Sequence, residues 1–132
     1  STCGRYGRIL GGDDRFGEID VGKTFRFAPI PHERIRAELT FIAIDNWEAS
    51  GPQKDRAGIQ LQQQPGPAAR FSGTNGSQEC GRGLPGFLES DRRFRQTIRR
   101  SADNIQLFVG ARTTAGPDNE SWGIDDVEIW IK

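Results

Sequence analysis

The sequence has no methionine, one histidine, one tyrosine, two cysteines and no net charge, its 18 Lys and Arg being matched by 18 Asp and Glu. These scarcities exclude several functions before any motif is sought. A neutral chain lacks the surplus of basic residues with which a general nucleic-acid binder displaces counterions, so no nucleic-acid partner is expected. No apolar run approaches the roughly 20 residues of a membrane-spanning helix, so no membrane insertion is expected. Any Ser-His-Asp or Cys-His device would have to use His32, which lies between Pro31 and Glu33 with no nucleophile motif beside it. His32 reads as a turn residue. A histidine-based zinc site is excluded by number unless cysteines and carboxylates supply the rest. The expectation is a protein that is not an enzyme.

Hydrophobic residues make up 34%, below the usual share of about 45–50%, and the difference is filled by 17 Gly and by long polar connections. That composition predicts an all-β fold, an antiparallel β-sandwich or jelly roll with long loops. The 132 residues suit one domain, taken as 1–132, long enough to bury a core. The chain opens on Ser1 without Met or a leader-like stretch, which predicts a processed or trimmed start. Cys3 and Cys80 are not spaced as a CxxC motif. They are either two separate buried thiols or, in the favoured reading, one disulfide pinning the N-terminal segment to the central loop. Such a bridge would stabilise the domain by roughly 4 kcal/mol. Two glycosylation triplets, at Asn75 and Asn119, fit a secreted glycoprotein, with an organelle lumen as the other destination.

Alternation marks the strands. Lys23 to Ala28 puts Phe25 and Phe27 on one face, and Ile35 to Ile44 puts Ile35, Ala37, Leu39, Phe41 and Ala43 together. Near its end Ile42 and Ile44 make both faces apolar, so this central strand passes into a deeper layer. Further strands are read at Ile59–Leu61, Arg92–Arg100, Ile105–Val109 and Ile124–Ile131, the last with Val127, Ile129 and Ile131 on one side and Glu128 and Trp130 on the other. Gly11-Gly12-Asp13-Asp14 reads as a turn, and Pro65 to about Pro85 as one long polar connection that is functional or stapled.

Carboxylates cluster in the loops and at strand ends. Asp45 and Asp125, then Asp126 and Glu48, with Asp13 or Asp14 and more weakly Glu120, make up a candidate calcium site. The plainer reading is that one of Asp125 and Asp126 caps a turn and the other is solvated. The run holding Arg93, Arg95 and Arg99 is either a solvated strand face or a docking surface for an anionic partner, such as a sulfated glycan or an acidic protein. Trp47 and Trp122, with Trp130, are candidate sugar platforms, with core or rim packing the commoner use of tryptophan.

The segments Arg34 to Glu48, Glu79-Cys80-Gly81 and Asn119 to Ile129, with Pro31-His32 ahead of the long strand, resemble a group of secreted domains of ciliates, algae and other protists. The specific parts are Asp45-Asn46-Trp47-Glu48 and Glu120-Ser121-Trp122-Gly123-Ile124-Asp125-Asp126. The resemblance implies a non-enzymatic extracellular module, and the ending is similar to extracellular jelly rolls in which a nearby Asp helps to hold calcium. Members carry a further cysteine before the Ser-Trp-Gly segment, where this chain has Gly116-Pro117-Asp118-Asn119. The resemblance therefore implies Cys3 as the partner of Cys80. The expected function is a calcium-stabilised module for adhesion, scaffolding or assembly with other protein subunits. A carbohydrate-binding, lectin-like module is the alternative.

Overall fold

The computed structural model describes residues 1–48, 55–74, 76–84, 87–113 and 120–132. Eight strands follow one 3-10 turn, Gly4–Tyr6: β1 Leu10–Phe16, β2 Asp20–Arg26, β3 Arg34–Asp45, β4 Arg56–Leu61, β5 Gln64–Arg70, β6 Ser90–Arg99, β7 Asn104–Arg112 and β8 Glu120–Ile131. They form two four-stranded sheets, β1-β8-β3-β6 and β2-β7-β4-β5, and every pairing is antiparallel. The fold is the expected β-sandwich. Among the described residues no helix is long and apolar enough to cross a membrane.

Period-two patterning decides what lies between the sheets. Ile35, Ala37, Leu39, Phe41 and Ala43 of β3 face Ile105, Leu107, Val109 and Ala111 of β7 and Ala57, Ile59 and Leu61 of β4 in one core. Phe41 is its centre, with ring centroids of Trp122, Phe71, Trp47 and Phe94 at 5.1, 5.2, 5.8 and 5.9 Å. Ile42 and Ile44 lie on the other side of β3 and are equally buried, under a lid of Cys3 and Ile9 flanked by Tyr6 and Cys80. That lid is the deeper layer expected of this strand. Cys3 and Cys80 are joined in a disulfide across a separation of 77 residues, which fastens it.

Three readings need correction. Gly11 to Asp14 belong to β1, although the ladder slips between Gly12 and Phe16, both opposite Trp122, so residues 13–15 bulge outward. The segment from Gln64 to Arg70 is β5 rather than part of one long connection. Pro65 and Pro67 hid it, yet β5 is the outer strand of its sheet, where proline is tolerated. Its hairpin turn is also disguised, because Gln62 and Gln63 take the positive φ values of 50° and 64° that Asn-Gly usually supplies. Val127 does not share a buried face with Ile129 and Ile131. A bulge sets Asp126 and Val127 against Leu39 alone, with Asp126 at φ 51°, and Val127 is left exposed.

Candidate functional site

On the outer face of the second sheet the strands present their alternate residues in rows. Because Ala57, Ile59 and Leu61 point inward, Arg56, Gly58 and Gln60 point outward; likewise Val109 and Ala111 turn Phe108, Gly110 and Arg112 outward. Read across the sheet, the first row is Arg70, Arg56 and Arg112. The next is Ala68, Gly58, Gly110 and Asp20. The third holds Gln60, Phe108 and Gly22.

The middle row is nearly without side chains, so a groove of about 620 Å³ runs across the strands, lined by the outward residues of β4 and β7, Asp20, and Pro65 to Ala68. Arginines form one wall, and Gln60 and Phe108 the other. Two glycines shape it further. A Cβ at Gly22 would strike the Phe108 ring, and one at Gly110 would strike the Asp20 carboxylate. Both side chains therefore lie flat across the sheet instead of standing up from it. Asp20 is paired with Arg112 at 3.3 Å. Phe108 belongs to neither hydrophobic core, so this aromatic ring is not explained by packing.

On the outer face of the first sheet, the predicted arginine run is partly compensated by carboxylates on the neighbouring strands. Glu38, 6% exposed, is ringed by Arg95, Arg93 at 3.6 Å and Arg36 at 3.9 Å. Arg93 also reaches Glu128 at 3.4 Å, Thr40 Oγ1 at 3.1 Å and the Asp126 carbonyl at 2.8 Å. Burial works to raise the Glu38 carboxyl, but Arg95, Arg36 and Arg93 outweigh it and hold it below its ordinary value. Arg99 points to the same face opposite Arg34 and makes no ion pair among the described residues. Trp130, the third tryptophan offered as a sugar platform, is 51% exposed on this face beneath Arg36.

The predicted calcium ligands are only partly gathered. Asp45 ends β3 fully buried, with φ 72°, and its Oδ1 accepts from the Arg82 backbone N–H at 2.8 Å. Its Oδ2 and Asp13 Oδ1 are buried without a hydrogen-bond donor. Burial is the main reason why the Asp45 carboxyl is pushed up to about 7; Asp13 and Glu89 add to it, against the Arg82 N–H. Asp14 is exposed in the β1 bulge, and Glu48 donates its N–H to Asp55 Oδ2 at 2.7 Å in a different loop. Asp125 lies half-buried opposite Thr40, Asp126 is exposed in the β8 bulge, and Glu120 is buried opposite Asp45. Among the described residues, no three His, Cys, Asp or Glu side chains are arranged to hold a metal ion.

Sequence reading missed Glu89, fully buried, whose Oε1 accepts from the N–H groups of Glu79, Cys80 and Gly81 at 2.7, 2.8 and 3.0 Å. This one carboxylate organises the loop that carries the disulfide. Trp47 and Trp122 are corrected from sugar platforms to core residues. Their indole N–H groups donate to the Ser121 and Gly17 carbonyls at 2.8 and 2.7 Å, and neither ring offers a free face. His32 is buried in its turn, its ring nitrogens 2.6 and 2.9 Å from the Ile30 and Ala102 carbonyls. Asn75 and Asn119 lie outside the described residues.

No family model and no curated protein matches the chain. Among solved structures, the C-terminal domain of EclA, a sugar-binding protein, superposes over 93% of this chain and 77% of its own, with a TM-score of 0.57 at 10% identity. At that identity the likeness is one of fold.

Proposed function

We propose that this domain is a non-catalytic carbohydrate-binding module whose ligand lies in the groove of the second sheet. The arrangement of Phe108, Gln60, Asp20 and the arginines around a nearly bare floor carries the reading. A sugar ring has an apolar C–H face and a rim of hydroxyls. Phe108 laid flat over Gly22 offers a surface for the first, and the amide of Gln60, the Asp20 carboxylate and the guanidinium of Arg112 offer donors and acceptors for the second. The sugar-binding neighbour of the same fold supports the reading.

Binding without turnover fits the lining. Hydrolysis of a glycosidic bond uses a pair of carboxylates. Among the described residues lining the groove the carboxylate is Asp20, and it is tied to Arg112. The disulfide supports an oxidising, extracellular setting. Calcium enters the proposal in reduced form, at the unpartnered oxygens of Asp13 and Asp45. A thermal midpoint that falls in chelator would support it, and an unchanged midpoint would remove it. A scaffolding role keeps one observation: β1 pairs with β8 only as far as Ile124, leaving the later part of β8 as a free edge beside exposed Val127 and Trp130.

The test is a glycan array followed by calorimetric titration of the best ligand. Phe108→Ala should weaken binding about fivefold or more while leaving the fold intact, since stacking on one aromatic is worth about 1 kcal/mol. A variant that binds as tightly as the parent would show that the groove is not the site.

A further inference from the structure

The arginine wall of the groove is its least economical feature. Arg70, Arg56 and Arg112 stand directly opposite one another on three adjacent strands, all exposed on one face. Like charges placed directly across a ladder destabilise a sheet. Elsewhere this chain compensates such crowding: Arg36, Arg93 and Arg95 close around Glu38 and Glu128. Of these three only Arg112 is compensated, by Asp20. Among the described residues neither Arg56 nor Arg70 makes an ion pair; Arg56 lines the groove beside the bare glycine row, and Arg70 stands next to it on β5, just past the lining. Arg34 and Arg99 also meet without a carboxylate, but at the end of β3 and outside this groove.

We propose that the groove takes an anionic saccharide, its carboxylate or sulfate held by Arg56 and Arg70 while the sugar ring lies against Phe108. This inference rests on the carbohydrate reading of the same groove. Arginine suits the task because its planar fork presents two parallel N–H donors to a carboxylate or sulfate, whereas lysine offers a point charge. The chain as a whole is neutral, so the positive wall does not come from general basicity. The arrangement also divides the labour. Arg112, neutralised by Asp20, serves hydroxyls, and the uncompensated pair serves the charge.

The experiment compares four probes on the intact domain: polygalacturonate for a carboxylated sugar, dextran sulfate for a sulfated one, neutral dextran, and polyglutamate, which carries charge without a sugar ring. The expected result is binding to polygalacturonate or dextran sulfate that weakens as salt rises. Which of the two binds identifies the anion. The paired variant R56Q/R70Q should lose at least about tenfold on that probe, since charge-assisted contacts are the strong ones. Its thermal midpoint should stay the same or rise, because a repulsion has been removed. R93Q/R95Q should bind the probe as the parent does.

Binding only to neutral glycans, lost in Phe108→Ala but unchanged in R56Q/R70Q, would overturn the anion assignment and leave the carbohydrate reading standing. Equal binding to polyglutamate, or a loss in R93Q/R95Q as large as in R56Q/R70Q, would overturn the assignment as well. Failure of every saccharide, here and on the array, would overturn the carbohydrate reading itself.

Discussion

Removing the disulfide should cost this domain a large part of its stability. The perturbation is Cys3→Ser with Cys80→Ser. The bridge closes a chain segment with a sequence separation of 77. In the chain-entropy account, cross-linking over that length withdraws about 4.5 kcal/mol of freedom from the unfolded chain. Domains of this kind are stable by about 5–15 kcal/mol in total, so the variant should approach the edge of folding. The effect is also local. The lid over Ile42 and Ile44 consists of Cys3 and Ile9, and its segment is also held by the Arg5 N–H to Glu79 and by Tyr6 and Arg5 to Asp91, all at exposed positions. Urea unfolding followed by the fluorescence of buried Trp47 and Trp122 reads the global loss, and amide exchange at Ile42 and Ile44 reads the local one. A loss below about 1 kcal/mol would refute the reasoning, because loop closure alone predicts several times that.

Asp45 should make stability depend on pH. Its folded carboxyl is raised from 3.8 to about 7, so the native state favours the protonated form. That contribution is complete below the unfolded value of 3.8 and is lost as pH rises through 7. In chelator the thermal midpoint should therefore fall between about pH 4 and 7 and level off above that. Asp45→Asn, which tolerates the positive φ, should flatten the slope; a parent protein with no slope would disprove the raised carboxyl. Glu89→Gln should cost about 2–4 kcal/mol in chemical unfolding, since it weakens three bonds to a buried anion and turns an amide donor toward the Asp45 N–H. A loss under about 0.5 kcal/mol would mean that the loop holds itself.

The sheets were legible in the sequence where burial is one-sided. The alternation in β3, β6 and β7 placed Phe41, Phe94 and Leu107 correctly because each faces the core. It failed at β1 and β5, edge strands whose ladders are broken by register shifts, whereas the edges β2 and β6 keep an unbroken register. Pairing on one side lets Pro65, Pro67 and the 13–15 bulge interrupt the pattern. The groove was less legible for a related reason. Its floor is defined by missing side chains, and Gly58 and Gly110 become neighbours only through the β4–β7 register. Arg56, Arg70 and Arg112 are likewise far apart in sequence and adjacent only in the sheet. The run Arg92 to Arg95 drew attention because it is contiguous, yet contiguity hid the carboxylate that partly compensates it, Glu38 on the next strand.

The placement of β8 between β1 and β3 bears on how the domain is made. The eighth strand is made after the other seven, and it fills the gap between the first and the third. Until it emerges, β1 has no sheet to join and one long side of β3 is open, with Ile35 to Ile44 exposed as an unpaired apolar edge. Pairing over such sequence distances is slow. The first sheet therefore cannot close until β8 has been made, and β3 needs shielding until then. Once β8 docks, strands far apart in the sequence, β1 and β3, are held in one sheet on either side of it.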